Sequence, residues 1–179
     1  MKINTVKTLY HGTDRAFRSF DFGKAKPFKD FGKGFYLTSN FKQAQKWAQR
    51  RAETTRIAYI YRYELAPVDQ SDWKILELLQ YDRQWVDFIS KSRIEGSETE
   101  YDIIYDRIAD NQYAEISDAL REYAAYRATA EEVISRIRWD TPGADQYCFK
   151  NKRALTLLRN RVTIIQQMDS DGRWMTVAR

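Results

Sequence analysis

The chain holds a single histidine, and a glycine follows it at the end of a short apolar run, Leu9-Tyr10-His11-Gly12-Thr13. Further on, Phe31-Gly32-Lys33-Gly34-Phe35-Tyr36-Leu37-Thr38 sets an aromatic pair directly after two glycines. Trp47 comes eleven residues after Tyr36, and Gln146 lies in the run Asp145-Gln146-Tyr147-Cys148-Phe149. These residue types suit a pocket for a flat aromatic ligand. Aromatic faces hold a ring by stacking. A glycine lets the backbone come close enough to offer its N–H and C=O to a carboxamide. An imidazole can hydrogen-bond a sugar hydroxyl, and a carboxylate or amide can orient the sugar beyond it. Taken singly, each residue has a plain structural explanation: a His-Gly turn, a strand tyrosine, a helix tryptophan packed in the core, a polar strand residue facing water. Their occurrence together and in this order argues for a pocket.

Composition narrows the classes. The 179 residues are 43% hydrophobic and 15% aromatic, enough for one domain with a real core, expected to span residues 1–179. Lys plus Arg number 30 against 25 Asp plus Glu, a net charge of +5, which permits an acidic partner such as a dinucleotide or a nucleic acid. The lone cysteine, Cys148, allows no internal disulfide and no cysteine metal cluster, and with one histidine the usual zinc sites cannot be built. No metal is expected. No apolar run approaches the ~20 residues that cross a bilayer, and residues 1–8 lack the apolar core of a signal peptide. The expectation is a soluble, cytoplasmic protein without a membrane partner.

The elements that must position these residues follow from periodicity. Thr5 to Tyr10 reads as a strand ending at the His-Gly turn, Asp14 to Lys33 as a loop and Gly34 to Thr38 as a second strand. Ser39-Asn40 supplies capping chemistry for a helix from Phe41 to Glu53. Ile57 to Leu65 alternates as a half-buried strand. Asp72 opens an amphipathic helix carrying Trp73, Leu76, Leu79, Trp85, Phe88 and Ile89. Tyr101 to Ile108 reads as a buried strand, and two helices follow near 113–126 and 129–137, the second with the capping-box pair Thr129 and Glu132. A turn at Asp140-Thr141-Pro142-Gly143 leads to a strand at Asp145 to Phe149, a short helix from Asn151 to Leu158, and two late strands at 162–167 and 174–177. Strands and helices interleave irregularly, without a GxGxxG or Walker loop, so the fold class is α+β.

The two glycine-containing blocks resemble the "HGS" and "FGKGIYFA" blocks of poly(ADP-ribose) polymerases, the His-Tyr-Glu branch of the ADP-ribosyltransferase superfamily. The combination "LYHG", "KDFGKGFYLT", "QAxxWA" and "ADQYCF" is similar to the bacterial DUF3990 family, placed in that superfamily, over roughly residues 8–160. The resemblance implies a split β-sandwich with flanking helices and helical insertions at about 72–92 and 113–138. It implies NAD as co-substrate. His11 would then bind the ribose next to nicotinamide, and the Gly12 backbone would grip the carboxamide. Thr13 would line the same turn, and Tyr36 would stack on the nicotinamide ring. Trp47 would close its other face. Phe35 would lie beside the ring, and Lys33 would meet the pyrophosphate.

Gln146 falls where the family carries its catalytic glutamate. Glutamine keeps an acceptor oxygen for a ribose hydroxyl but loses the charge that stabilises a cationic sugar, a loss on the order of 10²–10³ in rate in a dry site. Two functions follow from the resemblance. One is a mono-ADP-ribosyltransferase modifying a protein or a nucleic acid, as a toxin or effector with room for an antitoxin partner. The other is a binding module for NAD or ADP-ribose that has lost turnover.

Overall fold

Alternating apolar residues build two four-stranded sheets, seen in a computed structural model that describes residues 3–107, 113–137 and 144–178. The first sheet joins β1 (Thr8–Thr13), β3 (Ile57–Leu65), β7 (Leu158–Met168) and β8 (Trp174–Ala178) in the order β1-β3-β7-β8, all antiparallel. The second joins β2 (Phe35–Leu37), β4 (Ile75–Leu78), β5 (Ile103–Arg107) and β6 (Asp145–Phe149) in the order β2-β6-β5-β4, with β4 and β5 parallel. β1 and β2 are thus both edge strands. They meet through one antiparallel bridge, Tyr10 to Thr38.

The period of two along each strand decides what lies between the sheets. Leu9, Tyr61 and Tyr63 from the first sheet pack against Phe35, Leu37, Tyr147 and Phe149 from the second. The opposite face of the second sheet, carrying Ile104 and Cys148, is covered by α2 (Arg83–Ser90), α3 (Tyr113–Ala124) and α4 (Ala130–Ile137) through Trp85, Leu120 and Val133. The outer face of the first sheet takes α1 (Phe41–Arg51), whose Ala44 and Ala48 lie on Ala58 and Ile60. Small residues at a four-residue spacing make the α1 face flat enough to approach the sheet closely.

The expected caps form. Asn40 accepts a hydrogen bond from the Gln43 amide at the start of α1, and Thr129 and Glu132 exchange the two bonds of a capping box before α4. Three sequence expectations are corrected. The helix expected from Asp72 is instead the strand β4 followed by α2, which Asp82 caps by accepting from the Trp85 amide. Pairing Leu76 and Leu78 beside Ile104 and Asp106 of β5 gives a second-sheet edge that the helical reading of Leu76 and Leu79 forgoes. The first strand does not stop at a His-Gly turn: His11 and Gly12 are strand residues, paired with Tyr61 and Ile60 of β3. The helix expected to reach Leu158 ends early, as α5 (Lys152–Leu155), and β7 begins at Leu158 opposite Leu65. The turn expected at 140–143 lies outside the described residues. Among those described, no helix is long and apolar enough to cross a membrane.

Candidate functional site

The point of interest is where β1 and β2 part. Along an antiparallel strand, alternate residues send both backbone groups to the same edge. The Lys7 carbonyl accepts from the Leu65 amide at 2.9 Å, so odd-numbered residues of β1 face β3. Even-numbered residues face β2: the Tyr10 amide donates to the Thr38 carbonyl at 2.7 Å, and the Thr38 amide donates back to Tyr10 at 2.9 Å. The next pair in that ladder would be Gly12 with Tyr36. Among the described residues, no backbone hydrogen bond joins them. The His11 side chain takes the place of that bond, with Nδ1 2.7 Å from the Tyr36 carbonyl oxygen. Among the described residues, the N–H and C=O of Gly12 are thus left without a backbone partner at the β1 edge that faces β2.

A carbonyl oxygen only accepts, so Nδ1 of His11 carries the proton and Nε2 is left with its lone pair. Burial beside Phe17 and Phe35, whose rings lie 5.7 and 4.6 Å from the imidazole, pushes its pKa down from 6.5 to about 4. The Tyr36 carbonyl opposes this shift, and the charge of Arg51 adds to it. At neutral pH the ring is therefore an uncharged acceptor held in one tautomer.

Helix α1 forms one wall. A Cβ built on Gly12 would overlap the Ala44 carbonyl oxygen and lie 3.0 Å from the Ala48 nitrogen. Only glycine lets the helix sit so close to this strand. Gln43, Trp47 and Arg51 recur every four residues and share one stripe of α1. At one end of the stripe Gln43 Nε2 donates to the Asp145 carbonyl at 3.0 Å, and at the other the Arg51 charge is felt by both His11 and Lys29. Trp47, half-buried, lies between them. Lys29 has its pKa lowered by burial, then by Arg51; Asp30 opposes this, while Lys26 and Arg93 add to it. A cluster of cations beside a neutral acceptor and open backbone groups suits an anionic ligand with a polar head.

The second wall is the loop before β2. Tyr36 lies on the face of the second sheet that also carries Gln146 and Cys148, since it pairs with Cys148 in the β2–β6 register. Its hydroxyl donates to the Gly32 carbonyl at 2.6 Å and accepts from the Phe31 amide at 3.1 Å, and its ring stacks on Phe31 at 5.9 Å. Burial raises its pKa well above the ordinary phenol value. Tyr36 thus anchors residues 31–32 with its side chain while its carbonyl receives His11.

Gln146, the second residue of β6, lies on the same face. Its Nε2 donates to Asp30 Oδ2 at 3.1 Å, and Asp30 Oδ1 is paired with Arg93 Nε. Arg93 stands in a π-helical turn, Lys91–Glu95, that continues α2 and is closed by Gly96 at φ 68°. The start of β6 is tied to the end of β2 through Asp145, which accepts from Thr38 Oγ1 at 2.7 Å, from the Ser39 amide at 2.8 Å and from Ser39 Oγ.

His11 and Tyr36 therefore meet directly where β1 and β2 part, next to Gly12, while Trp47 stands on the α1 stripe between Gln43 and Arg51 and Gln146 is tied to Asp30. Other expected residues stand elsewhere. Phe35 is 1% exposed and belongs to the core beneath His11, so it supports the imidazole rather than facing the opening. Thr13, also buried, turns the chain by accepting from the Arg15 amide at 3.3 Å. Lys33 is exposed and pairs with Glu98 at 3.8 Å; the cation whose charge reaches His11 is Arg51, which also acts on Lys29. Sequence reasoning overlooked Asp30 and Arg93. The first was visible inside the "KDFGKGFY" block as an acid next to the glycines, while the second carried no local signal.

A hollow of about 520 Å³ lies at the β4 edge of the second sheet, far from His11, between Trp73, Lys74, Glu100, Asp102 and Arg153. Its charges are spent on one another: Lys74 pairs with Glu100, and Arg153 lies 3.8 Å from Asp102 and 4.1 Å over the Trp73 ring.

In comparisons with known proteins, the family model described as "Protein of unknown function (DUF3990)" matches residues 7–160. No curated protein and no solved structure matches the chain.

Proposed function

The chain belongs to the DUF3990 family, and on that premise we propose that it is an NAD-dependent mono-ADP-ribosyltransferase acting on a protein or nucleic-acid acceptor. The observation that carries this reading is the open backbone pair of Gly12 beside a neutral, tautomer-fixed His11. A primary carboxamide has one donor face and one acceptor face, and a strand residue with both groups unpaired is its complement. Nicotinamide carries that carboxamide on a flat ring. Trp47 and Tyr36 supply aromatic surface on the two walls. Nε2 of His11, an acceptor, suits a ribose hydroxyl, and Lys29 with Arg51 suits the pyrophosphate.

The chemistry follows from these roles. The bond between C1′ of the ribose and the nicotinamide nitrogen breaks, and its electron pair leaves with neutral nicotinamide. The sugar becomes oxocarbenium-like. A nucleophile on the acceptor gives an electron pair to C1′ and loses its proton to solvent or a local base. The chain's own contribution is to hold the ring and the ribose so that this charge develops in a preorganised polar site. An antitoxin partner and a role as toxin or effector fit the same chemistry.

The test is incubation with NAD labelled in the adenylate half, in cell extract, followed by separate recovery of protein, RNA and DNA. Label is expected in one of the three fractions and is expected to disappear with His11→Ala. Absence of label in all fractions, together with no NAD binding by calorimetry, refutes the reading. One observation favours a second reading, a module that binds NAD without consuming it: the position matching the family glutamate is an amide, Gln146, engaged with Asp30. That reading expects calorimetric binding of NAD with no release of nicotinamide.

A further inference from the structure

We propose that Asp30 is a positioning residue for Gln146, and that amide and carboxylate together stand in for the single acid that a transferase of this kind places at position 146. The inference rests on the NAD-transferase reading above. Gln146 is 8% exposed and the Arg93 side chain 9%, while the Asp30 carboxylate between them is 24% exposed. Each oxygen of that carboxylate has its own partner, Oδ1 with Arg93 and Oδ2 with Gln146 at 3.1 Å.

The chemistry of the contact fixes the amide. A carboxylate accepts and cannot donate, so Gln146 must turn its nitrogen toward Asp30. Its oxygen then points away from Asp30 and stays available as an acceptor. An isolated glutamine can rotate its amide by half a turn and offer N–H groups to a ribose hydroxyl instead. Asp30 removes that freedom. A hydrogen bond from the amide to an anion also draws negative charge onto the amide oxygen, which strengthens it as an acceptor. Arg93 holds Asp30 in place and keeps its charge from standing alone in a half-buried site. The geometry comes from three separate segments: the loop before β2, the π-helical turn after α2, and the first residues of β6. The same contact explains an acid beside the glycines of the second block, where a loop needs no acid to turn.

The test uses the full chain and steady-state release of nicotinamide from NAD, with Tm measured in parallel. Asp30→Asn keeps the side-chain shape, loses the charge and frees the amide to rotate. The expected result is a fall in kcat on the order of tenfold or more, with KM changed less than threefold. The double variant Asp30→Asn/Gln146→Glu exchanges acid and amide across the same contact. It is expected to recover most of the lost kcat, because the acceptor oxygen and the negative charge are both restored. A merely structural latch shifts Tm and KM and leaves kcat unchanged in Asp30→Asn. An unchanged kcat in Asp30→Asn, or a double variant as slow as the single, overturns the inference and leaves the transferase reading standing. A wild-type chain that binds NAD and releases no nicotinamide overturns it in favour of the binding module. A wild-type chain that neither binds nor cleaves NAD removes the reading beneath it.

Discussion

Acidification tests the tautomer argument directly, because His11 is the chain's only histidine and its ring protons give an isolated NMR signal. An ordinary imidazole titrates at 6.5, and in the folded chain His11 is lowered to about 4. Between those values the unfolded chain binds a proton that the folded chain refuses, so stability rises with pH over that window. The contribution is complete above about 6.5 and is lost as the pH falls toward 4. At about 1.4 kcal/mol for each tenfold step, the full effect is about 3 kcal/mol. The ring is half-buried rather than sealed, and screening by solvent lowers this to a working figure of about 2 kcal/mol. For a chain of this size, that corresponds to roughly 4–8 °C in Tm. The comparison is with His11→Asn, which can still donate to the Tyr36 carbonyl and does not titrate. Carboxylates contribute equally to both proteins, so the difference in Tm between pH 7 and pH 4.5 isolates the imidazole. Parallel losses in the two proteins, or an imidazole signal that titrates near 6.5, would refute the account of a neutral ring bound through Nδ1.

Two further substitutions probe the walls of the opening. Gly12→Ala forces a methyl group into the Ala44 carbonyl, so α1 must lift from β1; urea denaturation is expected to show a loss of about 2–3 kcal/mol. Tyr36→Phe removes the hydroxyl that bonds Gly32 and Phe31. A loss of about 1–3 kcal/mol is expected, and amide exchange should quicken at Phe31 while staying unchanged at Ile60.

The residues that define the opening differ in how much of their role could be read from the chain. Periodicity alone located β3 and α1, because an alternating strand and an alanine-faced helix each carry their burial pattern locally. The caps at Asn40 and Thr129 were equally local, since a cap is made within four residues. The stretch from Asp72 misled because Leu76, Leu78 and Leu79 satisfy a helical and a strand period at once. A partner strand, β5, settled the matter from 28 residues further along the chain.

By itself the sequence determined the residue types in play: one imidazole, a glycine next to it, an aromatic pair after two glycines, and an amide in a late apolar run. Side-chain chemistry is a property of the residue, and no fold is needed to state it. The tertiary structure decided which of those groups remain available. His11 takes the Tyr36 carbonyl that Gly12 would otherwise bond, Tyr36 spends its hydroxyl on the loop, and Asp30 arrives from that loop to hold Gln146. Two of these outcomes, His11 with Tyr36 and Asp30 with Gln146, join segments 25 and 116 residues apart. Such pairings have no trace in local composition, because they depend on which edges and faces the sheets bring together.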